Sequence, residues 1–190
     1  IMEEGKIISS SDSVILRDAM ESDIDSYVNW MNEGEWKEYD APWEKGIREL
    51  PEEEIKVRFM ELYFSEREEP RRRVIIADER NKPIGWMNRY FKDRYENTWL
   101  IGIDICEDEY LGKGYGTESL KVWIDYLFRN SQIKNIGLKT YSFNHRMIRV
   151  AEKLGMEERE VEIDFVEWKG EKFDRVFYSI SRDAWDSQKQ

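Results

Sequence analysis

Apolar positions along the chain repeat with two different periods, and each change of period marks a new element. Val14-Ile-Leu-Arg-Asp18 suits a short first strand. Ile24, Tyr27, Val28 and Met31 then recur at helical spacing, with Ser22 placed to cap a helix reaching about Asn32. Pro51 suits the first position of a second helix running to about Glu66. Glu52, Glu53 and Glu54 lie at the favourable end of its dipole, and Ile55, Phe59, Leu62 and Tyr63 form its apolar stripe. Runs 72–78 and 83–91 flank the turn-forming Glu79-Arg-Asn-Lys82 and read as an antiparallel hairpin in which Gly85 marks a bulge. Over 97–106 the alternation puts Trp99, Ile101, Ile103 and Ile105 on one face of a fourth strand, with Leu100, Gly102 and Asp104 on the other. A third helix, Gly114 to Arg129, packs through Leu120, Trp123, Ile124, Leu127 and Phe128. A fifth strand, Asn135 to Tyr141, follows it, so the order strand, helix, strand implies a parallel crossover. A fourth helix, Asn144 to Leu154, stops at Gly155, and strands 157–166 and 173–181 are joined by Glu167-Trp-Lys-Gly-Glu171. No repeat, linker or second domain is visible in 1–190, so a single domain is expected.

Composition narrows the class. Hydrophobic residues at 40% beside 37% charged and 14% aromatic describe a folded, soluble protein. No apolar run approaches membrane-spanning length and no secretory leader pattern opens the sequence, so a cytoplasmic protein with no membrane partner is expected. One cysteine, Cys106, excludes an internal disulfide framework, and one histidine, His145, leaves little material for a zinc site; no metal is expected. A formal net charge of −11 argues against nucleic acid and favours a cationic partner. That charge is concentrated in Glu33 to Glu54, where nine acidic and three basic residues are interleaved with Trp36, Tyr39 and Trp43. A solvated face is the default account of such a run. An aromatic floor ringed by carboxylates also holds a cation by charge and ring quadrupole, and on that reading Trp36, Tyr39, Asp40 and Trp43 bind a cationic substrate.

The stretch Glu107-Asp-Glu-Tyr-Leu-Gly-Lys-Gly-Tyr-Gly-Thr-Glu118 joins the fourth strand to the third helix. Its three glycines leave no side chain between backbone amides and a ligand, and the helix behind them offers unpaired first-turn amides and a positive dipole end. These features describe a cradle for a phosphate-bearing cofactor. The glycine order fits neither a nucleotide-triphosphatase loop nor a dinucleotide-binding turn. Leu111-Gly-Lys-Gly-Tyr-Gly116 resembles the Q/R-x-x-G-x-G/A loop of the GNAT N-acetyltransferases. Asn144-His-Arg-Met-Ile-Arg-Val-Ala-Glu-Lys-Leu-Gly-Met156 resembles the N-x-x-x-I-x-x-x-E-K-x-G-F helix of the branch that acetylates ribosomal-protein termini and its small-molecule relatives. Gly102-Ile-Asp104 is similar to the Gly-Ile-Asp segment of certain aminoglycoside N-acetyltransferases.

The resemblance covers nearly the whole chain and implies an α/β (α+β) GNAT fold: a mixed, mostly antiparallel, twisted sheet of about seven strands with about four helices. It implies acetyl-coenzyme A as cofactor, with its pyrophosphate on the amides of Gly112, Lys113, Gly114, Tyr115, Gly116 and Thr117. Backbone amides around Ile105 are the expected donors to the thioester oxygen. Asn144 is expected to contact the pantetheine arm or the substrate side, to cap its helix, or both. Asp104 would sit by the reacting amine as its base; the alternative is a strand-end carboxylate with a structural role. Three positions depart from the pattern, of which Met156 for Phe is a conservative packing change. Leu111 replaces the usual Gln or Arg, and Ala151 stands where many members carry a tyrosine acid. Tyr141 is a substitute acid or a buried, satisfied tyrosine, and Cys106 is a covalent nucleophile or a small buried hydrophobe. The activity implied is transfer of acetyl to a cationic amine, of an aminoglycoside, a polyamine or a basic protein N-terminus, by direct attack in a ternary complex. Leu111 and Ala151 keep open a non-catalytic acyl-coenzyme A sensor or interaction module. Phe165, Trp168, Phe173, Phe177 and Trp185 belong to the core or to a dimer surface, so monomer and homodimer both remain.

Overall fold

The computed structural model describes residues 5–44, 46–65 and 67–189. Among them are eight strands: β1 (Ile7–Ser10), β2 (Val14–Arg17), β3 (Arg73–Asp78), β4 (Pro83–Phe91), β5 (Thr98–Ile105), β6 (Asn135–Tyr141), β7 (Glu157–Trp168) and β8 (Glu171–Ser181). Five α-helices accompany them: α1 (Ile24–Asn32), α2 (Glu52–Phe64), α3 (Tyr115–Arg129), α4 (His145–Lys153) and α5 (Arg182–Ser187). The hydrogen-bonded strand order is β1-β2-β3-β4-β5-β6-β8-β7. No helix among the described residues is long and apolar enough to cross a membrane.

The chain resolves into two compact units. The first holds the residues up to 88 together with 103–126. Val14 and Leu16 of β2 are fully buried, and Leu16 pairs with Ile76 of β3 in an antiparallel ladder. α1 buries Tyr27, Val28, Trp30 and Met31, and α2 buries Ile55, Phe59 and Tyr63, following the two apolar stripes. Their rings interlock. Tyr27 lies 5.0 Å from Phe59 and 5.7 Å from Trp86, and Trp36 meets Trp86 edge-on at 5.0 Å. Each such pair adds about 1 kcal/mol beyond the apolar area it buries.

Ser22 does not cap α1. It lies in a single 3-10 turn, Glu21–Asp23, where the Asp23 carboxylate accepts the Met20 amide at 2.7 Å. Asp23 is held there by the buried guanidinium of Arg17, which donates to its two oxygens at 2.8 and 2.9 Å, so a tertiary ion pair overrides the local capping preference. The expected end of α2 at Glu66 falls on a residue outside those described.

β3 and β4 form the expected hairpin, and the bulge is real. Ile76 pairs with Gly85 but Ala77 pairs with Pro83, which leaves Ile84 as the extra residue. The Ile84 carbonyl accepts the amides of Cys106 at 2.7 Å and Glu107 at 3.3 Å. A Cβ on Gly85 would lie 2.0 Å from the carbonyl oxygen of Asp104, so the end of β5 runs where only glycine lets it pass.

The second unit holds 89–102 and 127–190. β5 and β6 are parallel, Thr98 opposite Asn135, as the crossover requires. β6 pairs antiparallel with β8 along its whole length. β7 and β8 run further into their hairpin than the sequence indicates, pairing as far as Trp168 and Glu171 around a turn at Lys169 and Gly170. The sheet therefore has eight strands, one more than expected. The extra one is β1, whose four residues carry only Ile7 and Ile8 as apolar signal.

Candidate active site

The end of β5 carries Asp104. Its carboxyl is half-buried, hydrogen-bonded to the Asp40 carboxyl and to the Trp86 indole. Burial and the facing Asp40 carboxyl raise it well above the ordinary carboxylate range, against the opposing pull of the Arg48 guanidinium and the Trp86 N–H. A facing carboxyl disfavours the ionised form of Asp104 because like charges repel at hydrogen-bond distance.

Asp40 comes from the acidic segment and is itself exposed, with its carboxylate 3.3 Å from Arg48. Tyr39 and Trp43 are half-buried beside it. Trp36 corrects the expectation of an exposed aromatic floor. Only 3% of it is accessible, its indole donates to the Trp30 carbonyl at 3.1 Å, and it belongs to the core. A tryptophan in a polar run goes inside here because neighbouring helices supply the apolar partners that its own segment lacks.

Cys106 is buried beneath this pair. Burial, then Asp104 and Asp40, push its thiol well above its usual value, so the thiolate a nucleophile needs is disfavoured.

The glycine loop follows within the same unit. Gly112 and Gly114 have φ of +71° and +89°, and a Cβ built on either meets nothing within 4 Å. The strain falls on the backbone angle alone, with open space in front of the loop, as an anion cradle requires. The first hydrogen bond of α3 runs from the Glu118 amide to the Gly114 carbonyl at 3.0 Å. The amides of Tyr115, Gly116 and Thr117 precede it and have no helical acceptor. Gly116 packs 3.9 Å, as a built Cβ, from Ile105, next to Asp104. Two fully shielded polar atoms in this unit, Asn88 Oδ1 and Ser119 Oγ, have no hydrogen-bond partner. The open, glycine-lined loop fits a polar, phosphate-bearing group.

Side chains distant in sequence hold this loop. Tyr110 donates to Asp78 at 2.7 Å, and that carboxylate also accepts the Arg80 and Lys82 amides at 2.9 Å each. The Tyr110 hydroxyl is pushed up to about 12 by Asp78. Burial alone would raise Asp78, but Tyr110, Lys82 and Arg80 together hold it below its ordinary value. Trp30 donates to Glu107 at 3.0 Å, and the Glu35 amide donates to Asp108 at 2.9 Å, which ties α1 and the acidic segment to the strand end. Asp-x-x-x-Lys turns followed far downstream by Glu-x-Glu-Tyr carry no local signal of these partnerships.

In the second unit, Asn144 is 8% exposed and its Oδ1 accepts the Met147 amide at 3.1 Å, which establishes its capping role. Tyr141 is half-buried at the end of β6, stacked on Phe143 at 5.7 Å and near Phe165 at 6.3 Å. Ala151 is fully buried and His145 is exposed.

Residues 13–157 match the family model described as acetyltransferase (GNAT) domain. The chain belongs to the GNAT acetyltransferase family. GNAT enzymes draw acetyl from acetyl-coenzyme A, so the loop geometry and the family agree on the cofactor. The chain is 25% identical over 114 residues to the uncharacterized SPbeta prophage-derived N-acetyltransferase YokL of Bacillus subtilis, covering 60% of this chain and 64% of that protein. It is also 25% identical over 162 residues to aminoglycoside N(6')-acetyltransferase type 1 of Klebsiella pneumoniae, covering 80% of this chain and 77% of the relative. Among solved structures, spermidine N-acetyltransferase from Vibrio cholerae with CoA and spermine superposes with a TM-score of 0.74 at 19% identity, over 92% of this chain and 99% of that one. The ribosomal-protein acetyltransferase RimL with coenzyme A superposes with a TM-score of 0.74 at 18% identity, over 94% and 99%. These likenesses support the GNAT fold, a mixed and mostly antiparallel sheet with flanking helices.

Proposed function

We propose that this GNAT acetyltransferase transfers acetyl from acetyl-coenzyme A to the amine of a cationic acceptor, by direct attack while both are bound. The observation that carries the reading is the Asp40–Asp104 carboxyl pair, whose Asp104 lies on the strand that leads into the glycine loop. When bound, the cofactor supplies an activated acetyl thioester. The chain supplies the rest.

An amine acceptor with a lysine-like pKa of ~10.4 arrives protonated. A carboxyl raised by burial is a better proton acceptor than an ordinary aspartate, and the arriving ammonium favours its ionised form. Asp104 then holds the ammonium and receives its proton, directly or through one water, as the lone pair is committed. The amides at Ile105 are the donors assigned to the developing oxyanion, and those of Gly112 to Thr117 anchor the pyrophosphate. Asn144 serves the cofactor side as well as capping α4, and Tyr141 is the candidate acid for the departing thiol. Asp40, with Tyr39 and Trp43 beside it, receives the rest of the acceptor. The buried Trp36 supports that wall from behind.

Relatives described as aminoglycoside and spermidine acetyltransferases support a small, multiply charged amine as acceptor. The test is release of free coenzyme A from acetyl-coenzyme A with a polyamine, an aminoglycoside, a basic peptide N-terminus and a neutral aromatic amine. Turnover with at least one cationic acceptor and little with the neutral amine is expected. Tight binding of acetyl-coenzyme A with no turnover across the panel would instead favour a sensor module.

A further inference from the structure

Arg48 has a placement that amine deprotonation by Asp104 leaves unexplained. It belongs to the 3-10 turn Gly46–Glu49 and turns back over the acidic segment. Its Nη2 donates to the Asp40 carbonyl at 2.6 Å and lies 3.3 Å from the Asp40 carboxylate. Its Nη1 reaches the carbonyls of Glu44 at 3.3 Å and Ala41 at 3.4 Å. The guanidinium carbon stands 4.8 Å from the centre of the Trp36 ring. Only 18% of the side chain is accessible. An aromatic face, a carboxylate and converging carbonyls are the contacts by which a protein holds a ligand's cation.

We infer that Arg48 is a resident cation filling a subsite that would otherwise take a positively charged group of the acceptor, and that it thereby sets which cationic acceptors the Asp40–Asp104 pair receives. The inference deepens the amine reading, but the seat itself stands on the distances above. It also gives part of the acidic segment an internal role: Trp36 and Asp40 contact a cation that is the protein's own.

The groups facing Asp104 are Asp40 and Arg48 from the acidic segment, Trp86 from β4, Tyr63 from α2, and Cys106 after β5, with Glu107 next to it. Lys37, another cation of the segment, is lowered by burial and by Arg48. Among the described residues Arg48 is the cation that opposes burial and Asp40 at Asp104, so removing it leaves them without that opposition.

The experiment compares wild type, Arg48→Ala and Arg48→Lys by carbon NMR of the Asp104 carboxyl across pH, with and without millimolar ethylguanidinium, and by tryptophan emission. Arg48→Ala is expected to raise the Asp104 midpoint by about one pH unit or more. Ethylguanidinium should return it toward wild type and bind at least about tenfold more tightly than to wild type, a difference of about 1.4 kcal/mol. Arg48→Lys should stay near wild type. A shared midpoint for Arg48→Ala and wild type, or indifference of Arg48→Ala to ethylguanidinium, overturns the inference. Arg48→Met keeps the aliphatic stem over Trp36 and carries the same comparison should the alanine variant unfold. None of these readouts needs turnover, so an enzyme that acetylates no amine would count against the acceptor while the rescue still decides the seat.

Discussion

Asp104 concentrates the conflict between stability and use. Its folded-state carboxyl is raised by burial first and Asp40 second. Below the ordinary aspartate value of ~3.9 both folded and unfolded chains hold the proton, and the group costs nothing. As pH rises past that value the unfolded chain releases its proton while the folded one does not, so stability falls until the folded carboxyl also titrates. Asp104→Asn removes this penalty and keeps a donor toward Asp40. Thermal melts should therefore show the variant above wild type at pH 7–8, with the gap closing toward pH 4; a gap that widens toward acid would contradict the burial argument. Asp78 runs the opposite way. Its carboxyl is held down in the folded state, so its contribution is present above the ordinary aspartate value and is lost as pH falls through the folded one. Tyr110→Phe removes the 2.7 Å bond to Asp78, and should lower stability by ~1 kcal/mol and loosen acetyl-coenzyme A binding several-fold. Calorimetry of unfolding and of cofactor binding checks both.

At the scale of elements, β4 and β5 position the site together. The Ile84 bulge turns a carbonyl to the amides of Cys106 and Glu107, and the bare Cα of Gly85 lets the Asp104 backbone pass. Gly85→Ala forces that backbone away, with a cost of ~1–3 kcal/mol and a loss of turnover well beyond any change in acetyl-coenzyme A affinity. Equal turnover at unchanged stability would show that the close approach is not needed. Elements with strong period were legible in the sequence: the apolar faces of α1 to α3 and the parallel crossover follow the expected pattern. What the sequence hid was decided by partners distant along the chain. Ser22 does not cap α1 because it lies in a 3-10 turn whose Asp23 is held by Arg17, and Trp36 went inside because Trp86, 50 positions away, offers it an edge. β1 carries too few apolar residues to announce itself. Asp104 could be singled out as a carboxylate on an apolar strand, but its partnership with Asp40, and the Arg48 seat behind it, arise only when the acidic segment folds back.

For the whole molecule, a formal charge of −11 makes the protein attractive to polycations and repellent to the polyanionic cofactor. Raising ionic strength from ~50 to ~500 mM should therefore increase KM for a multiply charged amine, more so than for a monoamine, and leave KM for acetyl-coenzyme A unchanged or lower. Identical salt responses for mono- and polycationic acceptors would show that the acidic surface plays no part in capture. The central claim, that a GNAT fold here carries a working amine acetyltransferase with Asp104 at its reacting centre, is tested most directly by turnover of Asp104→Asn beside wild type. The same preparation should be measured for acetyl-coenzyme A affinity by calorimetry. The account predicts a fall in kcat of about 100-fold or more, with cofactor affinity within about threefold of wild type. Equal turnover of the two proteins across pH 6–9 would contradict it.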